Sequence, residues 1–327
     1  MVMTILTRCM AAVAALTALV QHQPAQAQDY PARNITMVAP WAAGGAVDTV
    51  ARIVAPKLSE RLGKAVVVEN RPGGGSTIGT GAAAKAAPDG YTIGMPGSGS
   101  MAISPAMYKS LSYDPIKDIV PVALIGRVPF VLIVNLSLPV TTVSELIKHA
   151  KANKLNYASG GPGSPHHLYT EVFKGMTGVD MTHIPYKGSG HAVNDVVAGH
   201  VPVFFSDPAA ALPLIRGNKV RALAVTTLER WSVAPDIPPL NEVGVPGFNT
   251  AGWFMVSVPP GTPQPIVDRL HAEFKTVMGL PDVKAAVDRL GVVPVVSPPL
   301  DELSRFVKSE VDRWGKVVRQ VGLAGTL

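Results

Sequence analysis

The stretch ITMVAPWAAGGAVDTVARIVAPKLSERLG, Ile35 to Gly63, sets the fold class. Ile35 to Ala39 is an apolar run of strand length. Beyond the turn, Val47, Val50, Val54, Leu58 and Leu62 fall at three- and four-residue spacings that put them on one helix face. Gly63 ends that helix. Ala65 to Glu69 then reads as a strand, Thr77 to Ala86 as a helix and Tyr91 to Met95 as a third strand. A βαβαβ start implies a mainly parallel sheet with helices on both faces.

Between Ile119 and Asn135 two apolar runs are broken only by Gly126-Arg127, with no helix between them, which places a crossing into a second lobe there. A second α/β set follows. Thr142 with Glu145 three residues on forms a capping box for a helix to about Asn153. Strands are expected near Leu155 to Ala158, Thr182 to Ile184, Val203 to Phe205 and Val220 to Val225, with helices opening near Pro165, Gly190 and Pro208. Gly252 to Val258 reads as a strand returning to the first lobe, and Thr262-Pro263 as an N-cap and N1 pair. Helices near Asp282 to Leu290 and Leu300 to Val321 close the chain. The expected division is residues 28–126 and 249–327 for the first α/β lobe and 127–248 for the second, with a hinge at the crossings near Gly126 and Val245 to Thr250.

The first 27 residues read as an export signal. Arg8 is the only charged side chain before Asp29, Met10 to Val20 is apolar, and Ala25-Gln26-Ala27 is a small-x-small site, so cleavage is expected before Gln28. The eleven-residue apolar run is too short to span a bilayer. Cys9 stands before that run, where it cannot serve as a lipoprotein cysteine. It is also the chain's only cysteine, so the exported protein has no thiol for a disulfide, a zinc-thiolate site or a nucleophile.

The 327 residues carry 29 Lys and Arg against 23 Asp and Glu, a formal charge of +6 that becomes +5 without Arg8. With 47% hydrophobic residues this is one or two globular domains with ample core. The excess charge is scattered, and no basic tract of the nucleic-acid-binding kind exists.

Chemistry is expected in the loops after the strands. Pro40-Trp41-Ala42-Ala43-Gly44-Gly45-Ala46-Val47-Asp48 joins a strand to a helix start, where glycines admit a close ligand and the helix N–H groups suit a carboxylate or phosphate. The alternative reading is a tight turn with Asp48 as an N-terminal helix charge. Ser159-Gly160-Gly161-Pro162-Gly163-Ser164-Pro165-His166-His167 is a second such loop, with Ser164 as N-cap. Tyr186-Lys187-Gly188-Ser189-Gly190 and Ser206-Asp207-Pro208 stand at the same place after later strands, and Ser98 follows the third strand of the first lobe. In open α/β sheets such strand ends line the ligand crevice.

Enzyme signals fail on inspection. Gly79-Thr80-Gly81-Ala82-Ala83-Ala84 matches a dinucleotide fingerprint in letters but sits inside a helical pattern, and there is neither a phosphate-binding G-x-x-x-x-G-K-S/T loop nor a G-x-S-x-G elbow. His167 and Glu171 share a helix face without a third metal ligand, and a capping or core role for His167 is the favoured reading. His183 reads as a strand-end hydrogen-bonding group and Lys187 as a solvated or ligand-facing ammonium. Trp41 and Trp253 are open between cleft wall and core. No cofactor or metal is expected.

Taken together, Pro40-Trp41-Ala42-Ala43-Gly44-Gly45-x-x-Asp48, Glu69-Asn70-Arg71-Pro72-Gly73, Pro88-Asp89-Gly90-Tyr91, Tyr113-Asp114-Pro115, Gly163-Ser164-Pro165-His166-His167-Leu168, His183-Ile184-Pro185-Tyr186-Lys187-Gly188 and Arg221-Ala222-Leu223-Ala224-Val225-Thr226 resemble the Bug family. These are periplasmic solute receptors of tripartite tricarboxylate transporters. The resemblance runs through the exported chain in order. It implies a two-lobed Venus-flytrap fold, capture of a small carboxylate, a periplasmic location and delivery to membrane transporter subunits. By position it implies ligand contacts at Gly44, Gly45 and Asp48 in the first lobe and Ser164 and His167 in the second, with Tyr186, Lys187 and Asp207 as further landmarks. Trp41 replaces the Phe or Tyr usual in the family. The expectation is a non-catalytic, monomeric receptor without nucleic-acid partners. The competing readings are an exported hydrolase or lyase using His167 or Lys187, and a ligand-sensing partner of a membrane kinase.

Overall fold

The computed structural model describes residues 30–327; the expected signal peptide and its cleavage site lie outside the described residues. Strand β1 (Ile35–Ala39) leads through the Gly44-Gly45 turn into helix α1 (Ala46–Leu62), which buries Val47, Val50, Val54, Leu58 and Leu62, the stripe that periodicity marks. Strand β2 (Val66–Asn70) pairs parallel with β1, and β3 (Thr92–Gly94) pairs parallel on its other side after helix α2 (Thr77–Ala84). A π-helical turn at Gly99–Ile103 and the short α3 (Ser104–Met107) precede β4 (Val120–Val128).

The strand expected to break at Gly126-Arg127 runs through it. Gly126 and Arg127 pair with Phe254 and Trp253, and glycine is there because a Cβ would stand 2.7 Å from Val292 Cγ1. The chain leaves the sheet at Pro129-Phe130, where proline has no N–H for a ladder. Strand β5 (Val131–Val134) opens the second sheet. It is followed by α4 (Val143–Ala152), β6 (Leu155–Ser159), α5 (Pro165–Thr177), β7 (Met181–Pro185), α6 (Ser189–Ala198), β8 (Val203–Ser206), α7 (Pro208–Arg216) and β9 (Arg221–Val225). The Thr142–Glu145 capping box forms at α4. Thr142→Ala is expected to cost about 1 kcal/mol, read as a lowered urea midpoint at unchanged slope.

Strand β10 (Gly252–Val258) returns to the first sheet, and α8 (Gln264–Gly279), α9 (Pro281–Arg289), β11 (Val293–Pro294) and α10 (Leu300–Gln320) complete it. Helix α8 starts one residue later than Thr262-Pro263 suggests, because Thr262 Oγ1 donates to the Pro259 carbonyl instead of capping. The strand orders are β11-β4-β10-β3-β1-β2 and β7-β6-β8-β5-β9. Both sheets are mixed. β10 comes back from the other sheet rather than through a helical crossover, so it enters antiparallel between β3 and β4. β5, arriving directly from β4, is antiparallel to β8 and β9.

Arg33–Leu327 packs as one compact unit with a core under each sheet. Val131, Ile133, Phe204, Val225 and Trp231 anchor the second. One side chain ties the two crossings: Thr226 Oγ1 accepts the Phe130 N–H at 3.0 Å and donates to the Thr250 carbonyl at 2.8 Å. The backbones of the same residues are also paired. Trp231 donates its indole N–H to the Gly291 carbonyl at 3.0 Å, joining the second core to the first sheet's side.

Candidate functional site

Between the two sheets lies a cleft of about 580 Å3, including its mouth. Its first wall comes from the β1–α1 turn (Trp41, Ala42, Gly45, Ala46, Val47), from Gly97 to Gly99, and from β4 and β10 (Val128, Gly252, Trp253, Phe254). The second comes from Pro165, His166, Gly188 to Gly190 and Asp207, with Phe130 at the crossing. Among the described residues lining it there is no lysine or arginine.

Four helices start beside the cleft, and capping separates them. α5 is closed by Ser164, whose Oγ accepts the His167 N–H at 3.4 Å, and α7 by Asp207, whose Oδ1 accepts the Ala210 N–H at 3.3 Å. α1 has Gly45 and α6 has Gly188 at the N-cap position, so neither has a side-chain cap. These two belong to opposite walls and meet: a Cβ on Gly45 would lie 3.7 Å from Ser189 Oγ, and one on Gly188 3.2 Å from Ala42 Cβ. Two uncapped helix starts converging from different lobes offer backbone N–H groups and positive dipole ends to one small anion.

Beside the α6 start, where Ser189 hydrogen-bonds Asp207, stands the His166–Asp207 pair. His166 Nε2 stands 3.5 Å from Asp207 Oδ2. Burial alone would raise the Asp207 carboxyl, but hydrogen bonding and charge from His166, with the Ser189 hydroxyl and the Ala210 N–H, outweigh it and hold the group below the usual carboxylate range. The imidazole packs edge-on to Trp41 and Phe130 at centroid distances of 6.1 and 5.0 Å and stacks on Phe204 at 5.1 Å. Trp253 is set by the last helix: Glu310 Oε2 accepts both the Trp253 and Trp314 indole N–H groups, at 2.7 and 3.0 Å. Glu310→Leu is expected to destabilise by about 2–3 kcal/mol by orphaning two buried donors, seen in the thermal midpoint.

Of the residues singled out in the sequence, Trp41, Gly45, Ser98 and Asp207 line the cleft. The others stand elsewhere. Ala43 and Gly44 are exposed at the turn. Asp48 turns back into the protein, accepting from the Gly44 N–H, Arg52 Nε and Asn70 Nδ2, and Asn70 also donates to the Trp41 carbonyl. It braces the loop that carries the helix start. Gly163 faces Ser104 and Tyr108, and Ser164 Oγ donates to Gly161 O while capping α5. Tyr186 donates to Asp195 Oδ2 at 2.7 Å, and Lys187 is exposed.

Ser159 and His167 form part of a second cluster, outside the cleft lining. His167 stacks on His183 with centroids 4.0 Å apart, and Tyr157 continues the stack. Ser159 Oγ contacts His183 Nε2 at 2.5 Å and accepts the Gly161 N–H at 3.0 Å. Burial pushes both imidazoles down to about 4, so both are neutral at pH 7. His166, Ser189, Val128, Phe130, Gly252 and Phe254 line the cleft without having been singled out, while Trp253, left open between wall and core, is both cleft wall and 96% buried.

Comparison with known proteins places this geometry. Residues 50–323 match the family described as tripartite tricarboxylate transporter family receptor. Protein BugT of Bordetella pertussis is 38% identical over 302 residues, covering 91% of this chain and 92% of BugT. Rpa4515 of R. palustris, solved with adipate, superposes with a TM-score of 0.87 at 38% identity over 90% of this chain and 99% of its own. The periplasmic binding protein BugD gives 0.87 at 34% over 90% and 99%. MatC from Rhodopseudomonas palustris, with bound malate, gives 0.82 at 33% over 88% and 100%. Matched along most of its length by the family and along nearly all of the described fold by these structures, the chain belongs to the tripartite tricarboxylate transporter receptor family.

Proposed function

We propose that the protein captures a small organic acid in the cleft and presents it to the membrane subunits of a tripartite transporter, acting in the periplasm as a monomer and without catalysis. The observation that carries this reading is the pair of uncapped helix starts, α1 and α6, brought together from opposite walls. Adipate in Rpa4515 and malate in MatC support a carboxylate as the anion. Among the described residues no helix is long and apolar enough to cross a membrane.

The proposed ligand contacts are the backbone at Gly45 to Val47 and Ser189-Gly190, with Trp41, Ser98 and Asp207 around the ligand's body. The two lobes, divided at Pro129-Phe130 rather than at Gly126 and again between Thr226 and Thr250, are proposed to hinge where Thr226 ties Phe130 to Thr250. Binding without reaction is supported by the hydroxyl groups nearest to bases. Ser189 is hydrogen-bonded to Asp207 rather than to an imidazole, and the Ser159–His183 pair lies outside the cleft lining. Native mass spectrometry of the mature protein, purified without added ligand, tests this: a retained small acid whose mass is unchanged after incubation is expected, and its conversion contradicts the reading.

A further inference from the structure

Away from the two crossings, the lobes also meet at Trp231 and Gly291. Gly291 lies in the turn between α9 and β11, held on one side by its own N–H, which donates to the Asp288 carbonyl at 2.7 Å, and on the other by the pairing of Val293 with Arg127. It is buried, with φ +75, and a Cβ there would stand 2.1 Å from Trp231 Cζ2 and 2.7 Å from Pro208 Cβ. This turn of the first lobe therefore fills a slot between two side chains of the second. Trp231 is 2% exposed and belongs to the second core, and its indole N–H donates to the Gly291 carbonyl at 3.0 Å. Beside it, Ser232 Oγ donates to Asp288 Oδ1 at 3.3 Å. The loop that carries Trp231 is braced within its own lobe, where Arg230 donates to the Pro235 carbonyl and to Glu242 Oε2.

Neither Trp231 nor Gly291 is among the residues that line the cleft, yet the slot stands next to it: Pro208, the first residue of α7, follows the cleft residue Asp207. Parting of the cleft walls at Asp207 carries Pro208 away from the first lobe, so Gly291 leaves the slot. The indole face is then exposed and its N–H passes to water. Building on the receptor reading above, we propose that Trp231 is a positioning residue for capture: the indole and the Gly291 turn form a latch that engages when the lobes close on the ligand and slows its release. Because the latch touches no ligand, it stabilises only the closed state and acts on the rate of leaving rather than the rate of entry.

Proton exchange and release kinetics on the mature protein test this, with malate, adipate, citrate and benzoate tried in turn and the tightest binder used as the probe. The Trp231 indole N–H, followed by NMR in the wild type, is expected to exchange with water at least about tenfold more slowly with the probe bound than without it. Trp41 and Trp253 line the cleft and supply the emission change for a stopped-flow chase. Trp231→Phe keeps an aromatic ring in the slot without the N–H, and it is expected to quicken probe release about tenfold while association stays within about threefold. Gly291→Ala, on the other lobe, sets a Cβ against the indole and is expected to weaken binding about 100-fold. Combining Gly291→Ala with Trp231→Ala removes that obstacle and should regain part of the loss. A tie that served structure alone would lower the thermal midpoint without probe and leave the release rate unchanged. Equal protection of the indole N–H with and without probe, or wild-type release rates in folded Trp231→Phe and Gly291→Ala, overturns the latch while the receptor reading stands. Binding of none of these acids at millimolar concentration removes that reading, and the latch with it.

Discussion

Gly75→Val is expected to weaken ligand binding by roughly 100-fold or more in calorimetry, equivalent to about 2.7 kcal/mol. Gly75 has φ +62, and a Cβ there would lie 2.3 Å from the Pro162 carbonyl oxygen, 3.1 Å from the Ser164 nitrogen and 3.3 Å from the Gly163 carbonyl carbon. All three are backbone atoms of the loop that enters α5, so no rotamer change relieves the overlap. Gly75 lies on the first-lobe side and that loop on the second. The clash therefore exists only while the lobes are in contact, and apparent affinity falls with the fraction of molecules able to close. Gly44 supplies the control. It has φ +84 with nothing within 4 Å of a Cβ, so Gly44→Ala pays only the left-handed penalty of about 1 kcal/mol and keeps its affinity within a few-fold. Equal binding by wild type and folded Gly75→Val would show that lobe contact at this loop is irrelevant to capture.

Acid is expected to destabilise the protein between pH 6.5 and 4. His167 and His183 are held neutral chiefly by burial, down to about 4 from the ordinary 6.5; the Lys174 ammonium adds to the depression at His167, and His167 adds to that at His183, on which it stacks. The unfolded chain therefore binds more protons in this window, and stability rises with pH through it. Full stability stands above about pH 6.5 and is lost progressively toward pH 4. The depression at His167 alone, from 6.5 to about 4, corresponds to about 3 kcal/mol. The neighbouring His183 titrates as part of the same pair rather than independently. Thermal midpoints measured from pH 7.5 to 4 should fall by several degrees more in wild type than in His167→Gln. Parallel curves would show that the pair does not control acid stability.

The fold was legible where periodicity speaks. The strand at Ile35–Ala39 and the stripe from Val47 to Leu62 form as spaced, and the helix starts at Pro165 and Pro208 match because proline at N1 marks them. Gly126 misled because a glycine placed for want of space beside Val292 looks like one placed to turn the chain. At the cleft, the β1–α1 turn and Asp207 were readable as helix starts. His166 and His167 are successive residues about 100° apart on α5, and sequence spacing does not say which faces the cleft. The stack with His183 takes His167, and Trp41 and Phe130 receive His166. Val128, Phe130 and Phe254 escaped notice because cleft-lining apolar residues on or beside strands have the same pattern as core. Gly45 is extended, with φ −78, so the close approach it permits arises from its small size rather than from a left-handed backbone.

Amide hydrogen exchange with and without the acid identified by native mass spectrometry tests the central claim most directly, because the proposed anion site consists of backbone N–H groups on two separate helices. The start of α1, at Ala46 to Asp48, and the start of α6, at Ser189 to His191, should gain protection together on ligand addition. Protection at only one of these helix starts, or at neither while the thermal midpoint still rises, would contradict capture between the two lobes.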